Sequence, residues 1–240
     1  MSTFKHILFL AALMTAMGCS IDTIDDSDVN PDRLHGEYRI DFNANDGFIR
    51  HYVQFRVAGP TGTTVRLTEG SISLDGEEMS VFDGDDAFIN FEGTYYRRTR
   101  SVSEPEDSYI YSWERADGVV VDNIATMPGT YSVLTPVDGD DHIGSLTVSF
   151  DGDPLDANER YEVVIASLVD QDDAPFITRT VNSGNEVTLS TDIMSRFPVG
   201  PASVSVERIR RGPTQRGHDS AGGYIHTAYR TNTRYFNIVE

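Results

Sequence analysis

From Gly36 onward, hydrophobic and polar residues alternate in short runs rich in Tyr, Phe, Val, Ile and Thr, broken by clusters of Gly, Asp, Asn and Pro. Alternation with period two buries one side of a pleated strand and wets the other, so these runs predict half-buried β-strands. They fall at 37–42, 52–57, 64–67, 71–74, 79–82, 87–98, 109–115 and 119–124. A second series lies at 130–134, 145–151, 161–168, 176–181, 186–189, 203–210, 223–229 and 234–239. In the clearest run, Tyr109, Tyr111 and Trp113 share one face. Asp75-Gly76, Asp83-Gly84, Asp117-Gly118 and Asp151-Gly152 suit the positive φ angles of tight hairpins. Helical patterning is confined to 191–197, with Ser190 or Thr191 as its cap. The expected fold class is therefore all-β.

Met127-Pro128-Gly129 interrupts the pattern near its middle. It divides the strands into 36–127 and 128–240, each the size of one sandwich. By strand count and spacing these halves resemble immunoglobulin-like modules. That resemblance implies two antiparallel immunoglobulin-like β-sandwich domains in tandem; one large sandwich or barrel is the alternative.

Ahead of the strands, residues 1–18 read as an export signal: Lys5, the apolar run from Ile7 to Met14, and small residues up to Gly18. The run is shorter than the roughly 20 residues that a spanning helix needs. Ala16-Met17-Gly18-Cys19 resembles the lipobox of bacterial lipoproteins. This resemblance implies cleavage before Cys19, lipidation of its thiol and attachment to the cell envelope. With Ser20 rather than Asp after the cysteine, it also implies the outer membrane. An ordinary secretory leader ending near a free thiol is the other reading. The acidic stretch 19–35 has few apolar residues and many like charges, so it is expected to be a disordered tether holding the fold about 20 Å from the lipid.

Cys19 is the sole cysteine, so no disulfide supports the fold even in an oxidising compartment. The net charge is −19, and removing the leader with Lys5, the sole lysine, makes it −20. Such a surface repels phosphate polymers, which argues against nucleic acid as a partner. Abundant Asp without Lys fits a protein exposed to salt; an Arg-biased genome would account for the missing lysine alone.

Candidate chemistry is sparse. Asp151, Asp153 and Asp156 place oxygen ligands in one loop, a setting for calcium. Asp138, Asp140 and Asp141 form a similar group, as do Asp170, Asp172 and Asp173. Tyr96, Tyr109 and Trp113, near Arg97, Arg98 and Arg100, could stack on sugar rings. Core packing is the competing reading, with Tyr95 and Tyr96 on opposite faces. Arg208, Arg210 and Arg211 form a basic patch, with Arg208 and Arg210 expected on the solvent side of a strand. No Gly-x-Ser-x-Gly elbow occurs, and the histidines are scattered without ligand spacing. The sequence thus points away from an enzyme, toward a lipid-anchored structural or protein-interaction module with an envelope macromolecule as partner. The alternative is a carbohydrate- or calcium-binding lipoprotein.

Overall fold

A computed structural model describes residues 23–86, 91–169 and 175–239. Over these residues the regular secondary structure is nearly all strand, as the alternation predicts. The first half carries β1 (Thr23–Asp25), β2 (Leu34–Asn43), β3 (Phe48–Val57), β4 (Thr64–Arg66), β5 (Ser71–Leu74), β6 (Glu77–Glu78), β7 (Ser80–Asp83), β8 (Thr94–Ser101), β9 (Ser108–Glu114) and β10 (Val120–Thr126). The second carries β11 (Val133–Thr135), β12 (Asp141–His142), β13 (Leu146–Phe150), β14 (Glu159–Ser167), β15 (Phe176–Val181), β16 (Glu186–Leu189), the helical turn α1 (Thr191–Met194), β17 (Gly200–Pro213), β18 (Gly223–Arg230) and β19 (Arg234–Ile238). Among the described residues, no helix is long and apolar enough to cross a membrane.

Two hydrophobic cores form, one in each half. In the first, Tyr38, Ile40 and Phe42 of β2 and Val53 and Phe55 of β3 meet Tyr111 and Trp113 of β9. In the second, Val163 and Ile165 of β14 and Val204 and Val206 of β17 meet Val148 and Phe150 of β13. Each core thus lies between two sheets, the arrangement that lets inward-facing alternate residues interdigitate. The small sheets are β10-β9-β5-β6 over the first core and β11-β13-β16 over the second.

The opposite wall of both cores is one sheet, running β1-β4-β3-β2-β18-β17-β14-β15, with β8 on β3 and β19 on β17. Antiparallel pairing predominates, but the seam is parallel: Gly36 to Asn43 of β2 pair with Gly223 to Arg230 of β18. The two halves thus share one wall. The 14-residue β17 makes this possible, because its first part pairs with β19 and its last part with β18. The connection after it folds back over the first core, where His218 stacks on Trp113 at 5.2 Å.

The acidic segment before β2 corrects the expectation of a disordered tether through residue 35. From Thr23 the chain is folded onto the first half, with β1 parallel to β4. The reason is that Asp26 serves as a cap: its buried carboxylate accepts from the backbone N–H groups of Thr68, Glu69 and Gly70 and from the Thr68 hydroxyl. Burial alone would raise the Asp26 pKa, but these bonds hold it below the usual value. A charge that reads as solvating in sequence is spent on otherwise unpaired donors.

Candidate functional site

The outer face of the shared sheet is built by alternation. In β2 the inward residues Tyr38, Ile40 and Phe42 are buried, while Glu37, Arg39, Asp41 and Asn43 between them face outward and are half-buried. The register then aligns outward residues of five strands in one lateral row. Arg211 of β17 lies opposite His226 of β18, His226 opposite Arg39 of β2, Arg39 opposite Tyr52 of β3, and Tyr52 opposite Arg97 of β8. Three arginines, an imidazole and a phenol thus cross the seam between the halves side by side.

Two depressions meet at Arg39. The larger, of about 530 Å³, is lined by Arg39, Arg56, Arg160, Arg211, Tyr224 and His226, with Glu37 and Glu92 also in its wall. The smaller, of about 340 Å³, includes Asp41, Arg50, Tyr52, Glu207 and Arg230. Its charges are matched in pairs: Arg39 with Asp41 at 2.7 Å, Arg50 with Asp46 at 2.6 Å and Arg230 with Glu207 at 3.2 Å.

The larger depression is different. Arg160 pairs with Glu162 at 2.8 Å, but Arg56 and Arg211 have no carboxylate within ion-pairing distance among the described residues. Arg56 is held by Gln54 Oε1 at 3.0 Å and by the Gly62 carbonyl at 3.0 Å, which fixes its plane. Arg211 lies over the Tyr224 ring at 4.0 Å, a contact that orients a guanidinium without using its N–H donors. In the same wall, His226 Nε2 is buried with no hydrogen-bond partner among the described residues. Burial, followed by the charges of Arg39, Arg160 and Arg211, drives the His226 pKa down to about 3, so the imidazole is neutral. Burial also raises the Tyr224 phenol, and neighbouring Glu37 raises it further. This wall therefore offers cationic and neutral donors beside carboxylate acceptors.

The residues singled out in the sequence lie elsewhere. Tyr96, Tyr109 and Trp113 are in the first core, each 5% exposed or less, so their ring faces are spent on packing rather than open to a sugar. Tyr95 takes the opposite face, joining Tyr52 and Phe91 in a small outer cluster. Asp151 accepts from the Ser132 N–H at 2.5 Å and Asp156 pairs with Arg210 at 2.7 Å. Among the described residues, no three metal-ligating side chains, Asp153 included, converge to hold an ion. Cys19, with Asp170, Asp172 and Asp173, lies outside the described residues.

Arg208 corrects the solvent-face expectation. It continues the inward series of Ala202, Val204 and Val206, is 2% exposed, and pairs with buried Glu159 at 2.6 Å. Glu159 also accepts from Arg210, and together the two guanidiniums hold its carboxyl below the usual range although burial opposes this. Only Arg211 of the trio belongs to the depression.

No family model matches the chain, and no curated protein does. Among solved structures, the chain is similar to the crystal structure of chicken CNTN1 FN1-FN3 domains, at 12% identity and a TM-score of 0.27. The match covers 83% of this chain and 63% of that one, so this chain spans less than two thirds of that structure's length.

Proposed function

We propose that this chain is an exported, lipid-anchored, non-catalytic binding module of the bacterial cell envelope, and that the outer face of its shared sheet holds an envelope macromolecule. One observation carries this reading: strands of both halves jointly present a row of basic and aromatic side chains on a face that neither small sheet covers. Burying a polar atom without a partner is costly, and a protein that needed only a polar outer surface would gain nothing from orphaning His226 Nε2 there.

The anchoring part rests on the leader and Cys19. Because Thr23 already belongs to the described fold, at most Ser20 to Asp22 separate the lipidated residue from the body. Fully extended, that spacer reaches about 14 Å. On this reading the module rests close to the headgroups instead of standing off on a leash, and its function is exercised at the membrane surface.

Two measurements test the reading. Cys19→Ser should move the protein from the membrane to the soluble envelope fraction; unchanged fractionation would remove the anchor. Photo-crosslinking groups placed at outward Thr99 and Ser205 should capture an envelope component, and one placed at Asp122 on the small sheet should not. Capture from Asp122 alone would put the binding face elsewhere.

A further inference from the structure

Resting on that reading of the outer face, we infer that its occupant is an acidic polysaccharide, with a carboxylated or sulfated sugar seated between Arg56 and Arg211 and the chain running along the row toward Arg97.

The first argument is the state of the donors. Arg56, Arg97 and Arg211 all lack a carboxylate partner among the described residues, in a chain with 38 acids and 19 bases. Each is instead oriented by neutral groups: Arg56 by a glutamine and a carbonyl, Arg97 by Phe82 at 4.0 Å, Arg211 by Tyr224 at 4.0 Å. A guanidinium fixed over a ring, as in Arg97 and Arg211, presents its fork to an oxyanion with little further ordering, whereas Arg56 already donates to Gln54, Gly62 and Glu92 and contributes its charge beside them.

The second argument is what shares the wall. Glu37 and Glu92 stand in the same depression as these arginines. A densely charged phosphate polymer would meet them as like charges, besides the net −19 of the whole chain. A sugar that carries one anionic group among several hydroxyls can use both kinds of wall. Its anion accepts from Arg211 beside the charge of Arg56, and its hydroxyls donate to Glu37 and Glu92. The depression, about 530 Å³, is within the size range of sites that hold one or two rings.

The third argument is spacing. Arg211 and Arg39 are two strands apart along the row, as are Arg39 and Arg97. Two strand spacings are about 10 Å, close to the rise of a disaccharide in an extended glycan.

The test uses the full lipidated chain in detergent, titrated calorimetrically at moderate salt with four probes: an oligogalacturonate, a sulfated oligosaccharide of equal length, a neutral galactose oligomer and inorganic phosphate. At least one acidic glycan should bind while the neutral oligomer and phosphate do not, and the stronger of the two acidic arms identifies the anion. Arg211→Gln should weaken that binding by about tenfold or more, the loss of a charge-assisted hydrogen bond. Arg97→Gln should weaken long oligomers and spare a disaccharide; Arg179→Gln, on β15, should change neither. Equal binding of the neutral oligomer, or unchanged affinity in both Arg211→Gln and Arg97→Gln, overturns the inference. If crosslinks from the outer face still capture a partner while every acidic glycan fails, the inference falls and the reading of the face stands.

Discussion

The two cores differ in how they admit polar atoms. In the first, two imidazoles are buried in neutral form. His218 Nδ1 lies 2.6 Å from the Leu34 carbonyl, which only accepts, so Nδ1 carries the proton and Nε2 can accept from the Tyr38 hydroxyl at 3.0 Å. His51 Nδ1 sits 3.2 Å from the Tyr111 hydroxyl. At the edge of the second core the buried polar groups are fully charged, with Arg208 and Glu159 paired at 2.6 Å. A neutral interior is damaged by gaining a proton, whereas an ion pair is damaged by losing either partner. The shared sheet then decides whether damage in one half is felt in the other.

The largest expected effect breaks the ion pair. Glu159→Gln leaves Arg208 charged and 2% exposed, which should cost about 3–5 kcal/mol in urea unfolding. Replacing both partners by apolar residues, Arg208→Met with Glu159→Leu, should recover most of it. Trp113, the sole tryptophan, lies in the first core and reports on that half alone. Because eight residues of β2 pair with β18, fluorescence and far-UV circular dichroism should shift together in Glu159→Gln. A shift confined to circular dichroism would show that the seam does not couple the halves.

Acid should weaken the first core before the second. Burial holds His218 down to about 4 and His51 down to about 3, both from 6.5. The unfolded chain takes up these protons below pH 6.5 and the folded chain does not, so stability is complete above 6.5. It falls as pH drops toward 4, by about 1.4 kcal/mol per unit for each such histidine. Glu159 has the opposite sense: its pKa is lowered, so its contribution persists above about 4.5 and is lost only below. The urea midpoint should therefore decline between pH 6.5 and 4.5 through the histidines, and His218→Gln should flatten that slope by one proton. A midpoint independent of pH over this range would sink the neutral-ring account.

What the sequence disclosed follows from how local each interaction is. Strand and turn chemistry are local, so the 109–115 run appears as Ser108–Glu114 and Gly118 has the positive φ, 77°, that its turn signal implies. The parallel seam joins Gly36 to Gly223, and no local pattern encodes a partner so far away. Arg208 was legible by position but misread by type: Ala202, Val204 and Val206 fix its direction, and a charged side chain argues the reverse until Glu159 is placed beside it. The row Arg211–His226–Arg39–Tyr52–Arg97 was visible only as scattered outward residues, because lateral register alone brings them together.

A smaller effect probes the folded segment before β2. Asp26→Asn keeps one acceptor oxygen but forfeits the charge and one side of the cap on Thr68, Glu69 and Gly70. A loss of about 1–2 kcal/mol is expected, as for other capping carboxylates. It should be accompanied by faster amide exchange at Thr23 to Asp25, the strand that this cap anchors beside β4. Wild-type stability and exchange would mean that the segment contributes nothing to the first half.

The smallest effect separates the outer face from both cores. Arg211 is exposed, has no carboxylate partner among the described residues, and touches Tyr224 through a cation–π contact. An exposed contact of that kind is worth about 0.5–1 kcal/mol. Arg211→Gln should therefore change the urea midpoint by less than the Asp26 substitution does. A residue whose removal hardly affects folding, yet whose fork is oriented into a depression with a buried unpaired imidazole, is placed for contact with something outside the chain. A loss as large as that of Glu159→Gln would instead make Arg211 a prop of the fold and withdraw its support from the binding argument.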